Sequence, residues 1–228
     1  MHTDALRSSN ILIMHSDPIL SAGLVAALRQ HDSFEVFVHG VDHLGSDGPT
    51  MRVVIADYGN ALLLTDPAAR RSHGLPHDAR ILALTPNDRE ADIRRAIEAG
   101  VFGYLLVGGP LDELVMGVTA LGKGQRYMSQ SVAQRMAESL TRAALTAREI
   151  DVLRLVSIGR PNKAIARELS IELATVKSHM TAIMAKLGAR TRTEAAGIAA
   201  ARGLVEEHGA ATPWPTSRSA KEPALHYV

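Results

Sequence analysis

The sequence of 228 residues contains no cysteine, which excludes disulfide bridges, zinc ribbons and thiol catalysis. It also has no long hydrophobic run, because no uninterrupted apolar stretch approaches the roughly 20 residues that span a bilayer. Its first residues, MHTDALRSSN, are polar where a secretory signal would need an apolar core. With 46% hydrophobic and 21% charged residues, the composition is that of a globular protein of one or two domains. We therefore expect a cytoplasmic protein with no membrane partner.

The net charge is only +1, but the charges are unevenly distributed along the chain. Residues 1–140 carry 12 basic and 16 acidic side chains, whereas residues 141–207 carry 11 basic and 7 acidic ones. An acidic front and a basic back predict two modules, of which the basic one is a candidate for binding a polyanion. On charge alone, an ordinary solvated surface remains open for the basic module.

Short apolar runs alternate with amphipathic stretches in the first part of the chain. The runs are too short for stable helices and lie at 11–14, 34–38, 52–56, 80–84 and 103–107. The stretches with apolar residues three and four apart, as in helices packed on a sheet, lie at 18–30, 88–99 and 111–121. This alternation predicts an α/β domain with a doubly wound, flavodoxin-like parallel sheet of five strands. Functional groups of such sheets collect at the carboxyl ends of the strands.

The rest of the chain has a purely helical pattern. Thr146 and Glu149 form the sequence signature of a capping box at the start of one helix. The predicted helices are 131–140, a helix from this capping box to Gly159, 162–169, 174–187 and 193–202. Short helices with a tight break between two of them predict a helix-turn-helix module. The expected organisation is a disordered segment at 1–9, the α/β domain at 10–122, a linker with a helix at 123–143, the helix-turn-helix domain at 144–207 and a disordered tail at 208–228.

Two segments resemble a known family of proteins. Residues 145–195 contain LTAREIDVL, GRPNKAIAREL, TVKSH and KLGARTRTEA at the mutual spacing of the LuxR/NarL-type DNA-binding domain, which they closely resemble. Residues 10–125 resemble the receiver domain that precedes this module in response regulators. The resemblance implies a DNA-binding transcriptional regulator that acts as a homodimer, with the alanine-rich helix at 193–202 as the dimerisation helix.

Candidate DNA-contacting residues lie on the helix at 174–187. Its exposed face, opposite the apolar stripe, is predicted to carry Lys177, Ser178 and Thr181, and a major groove admits one such helix. The resemblance implies contacts to base edges for these three residues. It implies contacts to the DNA backbone for Asn162, Lys163, Thr175 and Lys186. Without the resemblance, the same side chains are equally typical of a solvated helix face.

The receiver-like segment keeps only part of the family's phosphorylation site. Asp57 matches the phospho-acceptor, Thr85 the switch hydroxyl and Tyr104 the aromatic residue that moves with it. The family's acidic pair falls on His15 and Ser16, and its lysine falls on Val107, so the pocket lacks two anionic ligands and one cation. The adjacent Asp17 precedes a proline and is interpreted as a helix N-cap rather than as a replacement ligand.

These departures predict that Mg²⁺-dependent phosphorylation of Asp57 does not operate, so that neither Mg²⁺ nor any other cofactor is expected. A conventional phospho-switched regulator, controlled through Asp57 by a sensor histidine kinase, remains the alternative. A protein-interaction adaptor is a further alternative. No catalytic constellation indicates an enzyme. No metal site is predicted, because Gly74 and Pro76 separate His73 from His77 and disfavour a helix that presents both rings.

Overall fold

The computed structural model describes residues 9–42 and 50–205. These residues divide into two compact units, with the boundary between Arg142 and Ala143. The segments predicted to be disordered lie outside the described residues, except for Ser9, which begins the first strand because it pairs with Phe34. Within the described ranges, no helix combines the length and the apolar character that a membrane crossing requires.

The first unit alternates strands and helices along the chain. Its elements are β1 (Ser9–Met14), α1 (Pro18–Leu28), β2 (Phe34–Val38), β3 (Val53–Ala56), α2 (Tyr58–Leu63), α3 (Pro67–Ser72), β4 (Arg80–Thr85), α4 (Glu90–Glu98), β5 (Gly103–Leu106), α5 (Leu111–Gly122), β6 (Tyr127–Met128) and α6 (Gln130–Leu140). All neighbouring strands are parallel, in the order β2-β1-β3-β4-β5-β6. The predicted doubly wound α/β fold is thereby confirmed.

Three short elements are not predicted from the sequence. The sixth strand, β6, is only two residues long and adds to the edge of the five predicted strands. The helices α2 and α3 have six residues each, which is too short for a helical period to emerge from the sequence. Both helices are started by an aspartate N-cap, Asp57 for α2 and Asp66 for α3.

The core of the first unit lies on both faces of the sheet. In β1, Leu12 and Met14 pack into the cluster on one face, and Ile11 and Ile13 pack into the cluster on the other. Because successive side chains of a strand point to opposite faces, a strand buried on both faces has a continuous apolar sequence. This burial explains the short unbroken apolar runs. Because the strands are parallel, their carboxyl ends lie at the same edge of the sheet.

The second unit is a small bundle of helices. Its helices are α7 (Ala147–Ser157), α8 (Asn162–Glu168), α9 (Leu173–Leu187) and α10 (Arg192–Ala201). The predicted capping box is confirmed: Thr146 Oγ1 accepts the Glu149 N–H, and the Glu149 carboxylate accepts the Thr146 N–H. Helix α9 is stopped by Gly188 at φ 68°, a left-handed conformation that glycine adopts without steric cost. The unit packs around one core cluster to which all four helices contribute.

Candidate functional site

Asp57 lies at the carboxyl edge of the sheet, directly after β3, where it caps α2. Its Oδ1 accepts the Asn60 main-chain N–H at 2.9 Å. Its Oδ2 accepts the Ser16 main-chain N–H and the Asn60 side-chain amide, each at 2.8 Å. Both carboxylate oxygens are therefore engaged by N–H donors, and the Asn60 contact was not foreseen from the sequence. An asparagine three residues after a capping aspartate is the signal that could have indicated it.

The hydrogen bonds around Asp57 favour its charged form. Burial raises the pKa of the Asp57 carboxyl, but the hydrogen bonds from Asn60 and Ser16 together outweigh this effect and leave the pKa below its ordinary value. Asp57 is thus an anion at neutral pH, and its charge is held by hydrogen bonds from the backbone and the side chains of Ser16 and Asn60.

His15, on which one residue of the receiver family's acidic pair is predicted to fall, follows β1 directly. Its Nδ1 accepts the Asp17 main-chain N–H at 3.1 Å, so that Nε2 carries the ring proton and faces the Leu84 carbonyl at 3.3 Å. The imidazole therefore joins the start of α1 to the end of β4. Neither ring nitrogen in this arrangement offers a negative ligand to the pocket of Asp57.

Asp17 is the N-cap of α1, as the sequence predicts. Its Oδ1 accepts the N–H groups of Ile19 and Leu20 at 2.8 and 3.1 Å, and Pro18 stands at the start of the helix. An N-cap oxygen that satisfies two of the free N–H groups at a helix start stabilises the helix. The interpretation of Asp17 as a cap is confirmed.

Thr85 and Tyr104 both contact Asn87 in the loop that follows β4. The buried Thr85 hydroxyl oxygen accepts the Asn87 N–H at 3.1 Å, and the Tyr104 hydroxyl donates to the Asn87 carbonyl at 2.7 Å. Burial raises the pKa of the Tyr104 hydroxyl, which stays neutral. Val107 is 41% exposed, and its N–H donates to the Thr85 carbonyl at 3.0 Å. The sheet thus brings Thr85 and Val107 to the same edge as Asp57.

A second candidate site lies on the outer face of α9. The inner face of this helix is buried in the bundle through Val176, Met180, Ile183 and Leu187. On the opposite face, Lys177, Ser178 and Thr181 are exposed, and Thr175 is half-buried. The Thr181 hydroxyl donates to the Lys177 carbonyl at 3.1 Å, which leaves its oxygen free to accept a further hydrogen bond. The structure thus brings the three predicted base-contacting residues onto one solvent-facing surface.

Both helices that meet at this surface begin without a side-chain cap. Pro161 precedes α8 and Glu172 precedes α9, and neither side chain accepts a hydrogen bond from the helix it precedes. The first N–H groups of a helix carry a partial positive charge and bind phosphate when no side chain satisfies them. Lys163, in the first turn of α8, is exposed. Asn162 at the start of α8 is half-buried, and its Oδ1 accepts Arg192 Nη1 at 3.4 Å.

Lys186 has a structural contact that the sequence does not reveal. Its ammonium lies 2.7 Å from Oε2 of Glu149, which is only 5% exposed. The contact joins α9 to α7 across the bundle. The ion pair gives Lys186 a role inside the second unit, and its predicted contact to the DNA backbone stays a prediction.

The charge of Glu149 is stabilised by this arrangement. Burial raises the pKa of the Glu149 carboxyl, but the hydrogen bonds from Lys186 and Thr146 outweigh it and leave the pKa below its ordinary value of 4.5. The capping box and the ion pair therefore share one anion, which ties the start of α7 to the end of α9.

Comparison with known proteins identifies the second unit. The family model for bacterial regulatory proteins of the luxR family matches residues 143–199. The transcriptional regulatory protein DesR of Bacillus subtilis (strain 168) is 38% identical over 192 residues, which are 82% of this chain and 94% of DesR. The nitrate/nitrite response regulator protein NarP of Escherichia coli (strain K12) is 36% identical over 199 residues, which are 81% of this chain and 91% of NarP.

One solved structure is similar to this chain in fold. A structure of two RcsB dimers bound to two parallel DNAs matches with a TM-score of 0.60 at 22% identity, over 85% of this chain and 98% of the RcsB chain. At this level of identity, the match shows that the two chains share a fold.

Proposed function

The chain belongs to the family of LuxR/NarL-type response regulators, and we propose that it is a sequence-specific DNA-binding transcriptional regulator that acts as a homodimer without Mg²⁺-dependent phosphorylation of Asp57. Its relatives of this type are DNA-binding transcriptional regulators, not enzymes. The partners in this proposal are double-stranded DNA and a second copy of the chain.

The exposed face of α9 is the observation that supports DNA binding. In helix-turn-helix proteins, the second helix enters the major groove and its N-terminal part reaches the base edges. Lys177, Ser178 and Thr181 occupy that part of α9 and face solvent, while the opposite face is anchored in the core. A lysine at such a position donates to guanine O6 and N7, and the two hydroxyl side chains can pair with either donors or acceptors.

Contacts to the DNA backbone are proposed for Lys163, Asn162 and Thr175 at the starts of α8 and α9. We expect Lys163→Ala to weaken binding to all DNA sequences alike, because a phosphate contact carries no sequence information. The slope of log K against log salt should become less steep by about 0.9, the value for one lost phosphate contact. Binding isotherms at several salt concentrations measure this slope. Lys123→Ala removes the same charge from an exposed position of the first unit and serves as the control. An unchanged slope in Lys163→Ala would show that Lys163 does not contact a phosphate.

The arrangement around Asp57 supports control without phosphorylation. Magnesium prefers an octahedral set of oxygen ligands, which receiver proteins supply largely through carboxylates. Here both Asp57 oxygens accept N–H groups, Asp17 caps α1 through Oδ1, and His15 turns its nitrogens toward backbone groups. The side chains around Asp57 therefore do not fit the set of oxygen ligands that Mg²⁺ prefers. Val107 also leaves the pocket without the cation that would stabilise a transferring phosphoryl group.

The direct test is to incubate the full-length protein with acetyl phosphate and Mg²⁺. We expect the intact mass, the solution mass and the DNA affinity to stay unchanged, because the pocket lacks both the ligand set and the cation. Intact-mass spectrometry and binding to genomic fragments selected by the protein measure these quantities. An added phosphoryl group that disappears in Asp57→Asn, together with tighter DNA binding, would establish the phospho-switched alternative and a sensor kinase as partner.

The proposed homodimer is supported by the exposed small residues of α10. Ala195 and Ala199 are fully buried in the core of the unit, whereas Thr193, Gly197 and Ala201 face solvent at four-residue spacing. Small residues on an outer face allow the close approach of a second helix, and the RcsB chains in the matching structure are dimers. Sedimentation of the full-length protein tests this part, and a monomeric mass in the presence of bound DNA would contradict it.

A further inference from the structure

Two histidines from distant parts of the sequence meet at the surface of the first unit. His39 follows β2 and His73 follows α3, 34 residues later. His39 Nε2 lies 3.1 Å from His73 Nδ1, and the ring centroids are 5.0 Å apart with an interplanar angle of 68°. The two imidazoles therefore face each other through one nitrogen each, and this contact has no role in the proposed DNA-binding function.

We propose that His39 and His73 form a binding site for a divalent transition-metal ion such as Zn²⁺, with water completing the coordination. Imidazole nitrogens bind Zn²⁺ at about 2.0–2.1 Å, so two nitrogens at tetrahedral positions stand about 3.3 Å apart. The observed separation of 3.1 Å lies within about 0.2 Å of this value. A metal ion would replace the proton of this contact, with both rings turned so that one nitrogen lone pair of each points at the ion. Imidazole is a ligand that suits Zn²⁺, Cu²⁺ and Ni²⁺.

The backbone fixes both histidines before a metal ion binds. The His39 N–H donates to the Ile13 carbonyl at 2.9 Å, which extends the pairing of β2 with β1. The His73 N–H donates to the last turn of α3. Each histidine precedes a glycine with a left-handed conformation, Gly40 at φ 78° and Gly74 at φ 66°, which turns the chain away directly after the ring. A site held by rigid elements loses less conformational entropy when it binds a ligand.

Among the described residues, the lining of the cavity beside the histidine pair includes one side chain of each charge. A cavity of about 390 Å³ is lined by both histidines together with Asp42 and Arg71. Asp42 Oδ2 accepts the Val38 N–H, so this carboxylate is held by the backbone of β2. Arg71 opposes a cation, and the described residues hold no group of three or more potential metal ligands. The site is therefore a two-histidine site, and we expect its affinity to be moderate.

The protonation state of His39 is compatible with metal binding at neutral pH. Partial burial lowers the pKa of His39, and the positive charge of a protonated His73 lowers it further. The ring of His39 is therefore neutral above its ordinary pKa of 6.5, in the form that binds metal ions.

The test is a Zn²⁺ titration of the full-length protein at pH 7.5, followed by long-range ¹H–¹⁵N spectra of the histidine rings. We expect the signals of His39 Nε2 and His73 Nδ1 to shift together with one equivalent of Zn²⁺. His39→Ala and His73→Ala should each weaken binding at this site at least tenfold. His77→Ala removes an exposed histidine close in sequence to His73 and should leave the titration unchanged.

Two results would overturn the proposal. The first is that Zn²⁺ shifts neither ring signal, whether or not other histidines of the chain respond. The second is that the response of His39 persists unchanged in His73→Ala. His39 is an exposed side chain, and far-ultraviolet circular dichroism of the variants verifies that the fold is preserved. A loss of Zn²⁺ binding without loss of structure therefore reports on the site.

Discussion

Replacing Lys177 by alanine is expected to weaken the binding of the full-length protein to its selected DNA by about 1–3 kcal/mol, roughly 5- to 150-fold. The reason is that Lys177 faces solvent on α9, at the part of a recognition helix that reaches base edges. A base contact also discriminates between sequences. The loss should therefore be large on the preferred sequence and small on unrelated DNA, which competition binding at a fixed salt concentration measures.

Two controls separate base recognition from a general effect of charge. Lys123→Ala removes an exposed lysine from the first unit and should leave the affinity unchanged. Lys163→Ala, which is expected to break a phosphate contact, should weaken binding to preferred and unrelated DNA equally. If Lys177→Ala binds as tightly as the wild type, or loses the same factor on every sequence, then Lys177 does not read the bases.

Local signals in the sequence are sufficient to predict much of this molecule. Asp17 before Pro18 and the Thr146–Glu149 pair each involve residues within three positions of one another, and each forms the predicted cap. The apolar runs of the strands were equally readable, because burial on both faces of a parallel sheet leaves a continuous pattern. Caps and apolar runs are patterns of residues that are close together in the sequence, so they can be recognised without the structure.

Contacts between distant residues were not predictable in the same way. Lys186 and Glu149 are 37 residues apart and His39 and His73 are 34 apart, and no periodicity relates either pair. A lysine on an amphipathic helix is equally compatible with a phosphate contact and with an internal ion pair, and only the packing of α9 on α7 reveals the ion pair. The candidate DNA surface is therefore predictable as a helix face, whereas the residues that orient that face are not.

The ion pair between Lys186 and Glu149 leads to the prediction with the largest effect on stability. Lys186→Met leaves the Glu149 carboxylate buried without its cation, although the Thr146 N–H still donates to it. Removal of one partner of a buried ion pair costs about 3–5 kcal/mol, and we expect a value of about 3 kcal/mol because of this remaining hydrogen bond. Hydrogen exchange of the α7 and α9 amides reports the loss within the second unit. Lys163→Met, an exposed lysine of the same unit, should change exchange by less than about 0.5 kcal/mol.

The pH dependence distinguishes this ion pair from an ordinary packing contact of the lysine stem. In the wild type, the pKa of Glu149 lies below its ordinary value of 4.5, so its contribution to stability is fully present above pH 4.5 and disappears as the pH falls through the lower, folded-state value. In Lys186→Met, the hydrogen bond and the charge of Lys186 no longer lower the pKa of Glu149. This pKa is therefore higher than in the wild type, and on acidification the carboxyl is neutralised at a higher pH, which relieves the cost. The difference in unfolding free energy between wild type and variant should therefore be largest near pH 7 and should shrink as the pH falls below 4.5. A difference that is constant with pH would show that the lysine stabilises the bundle through its hydrocarbon stem.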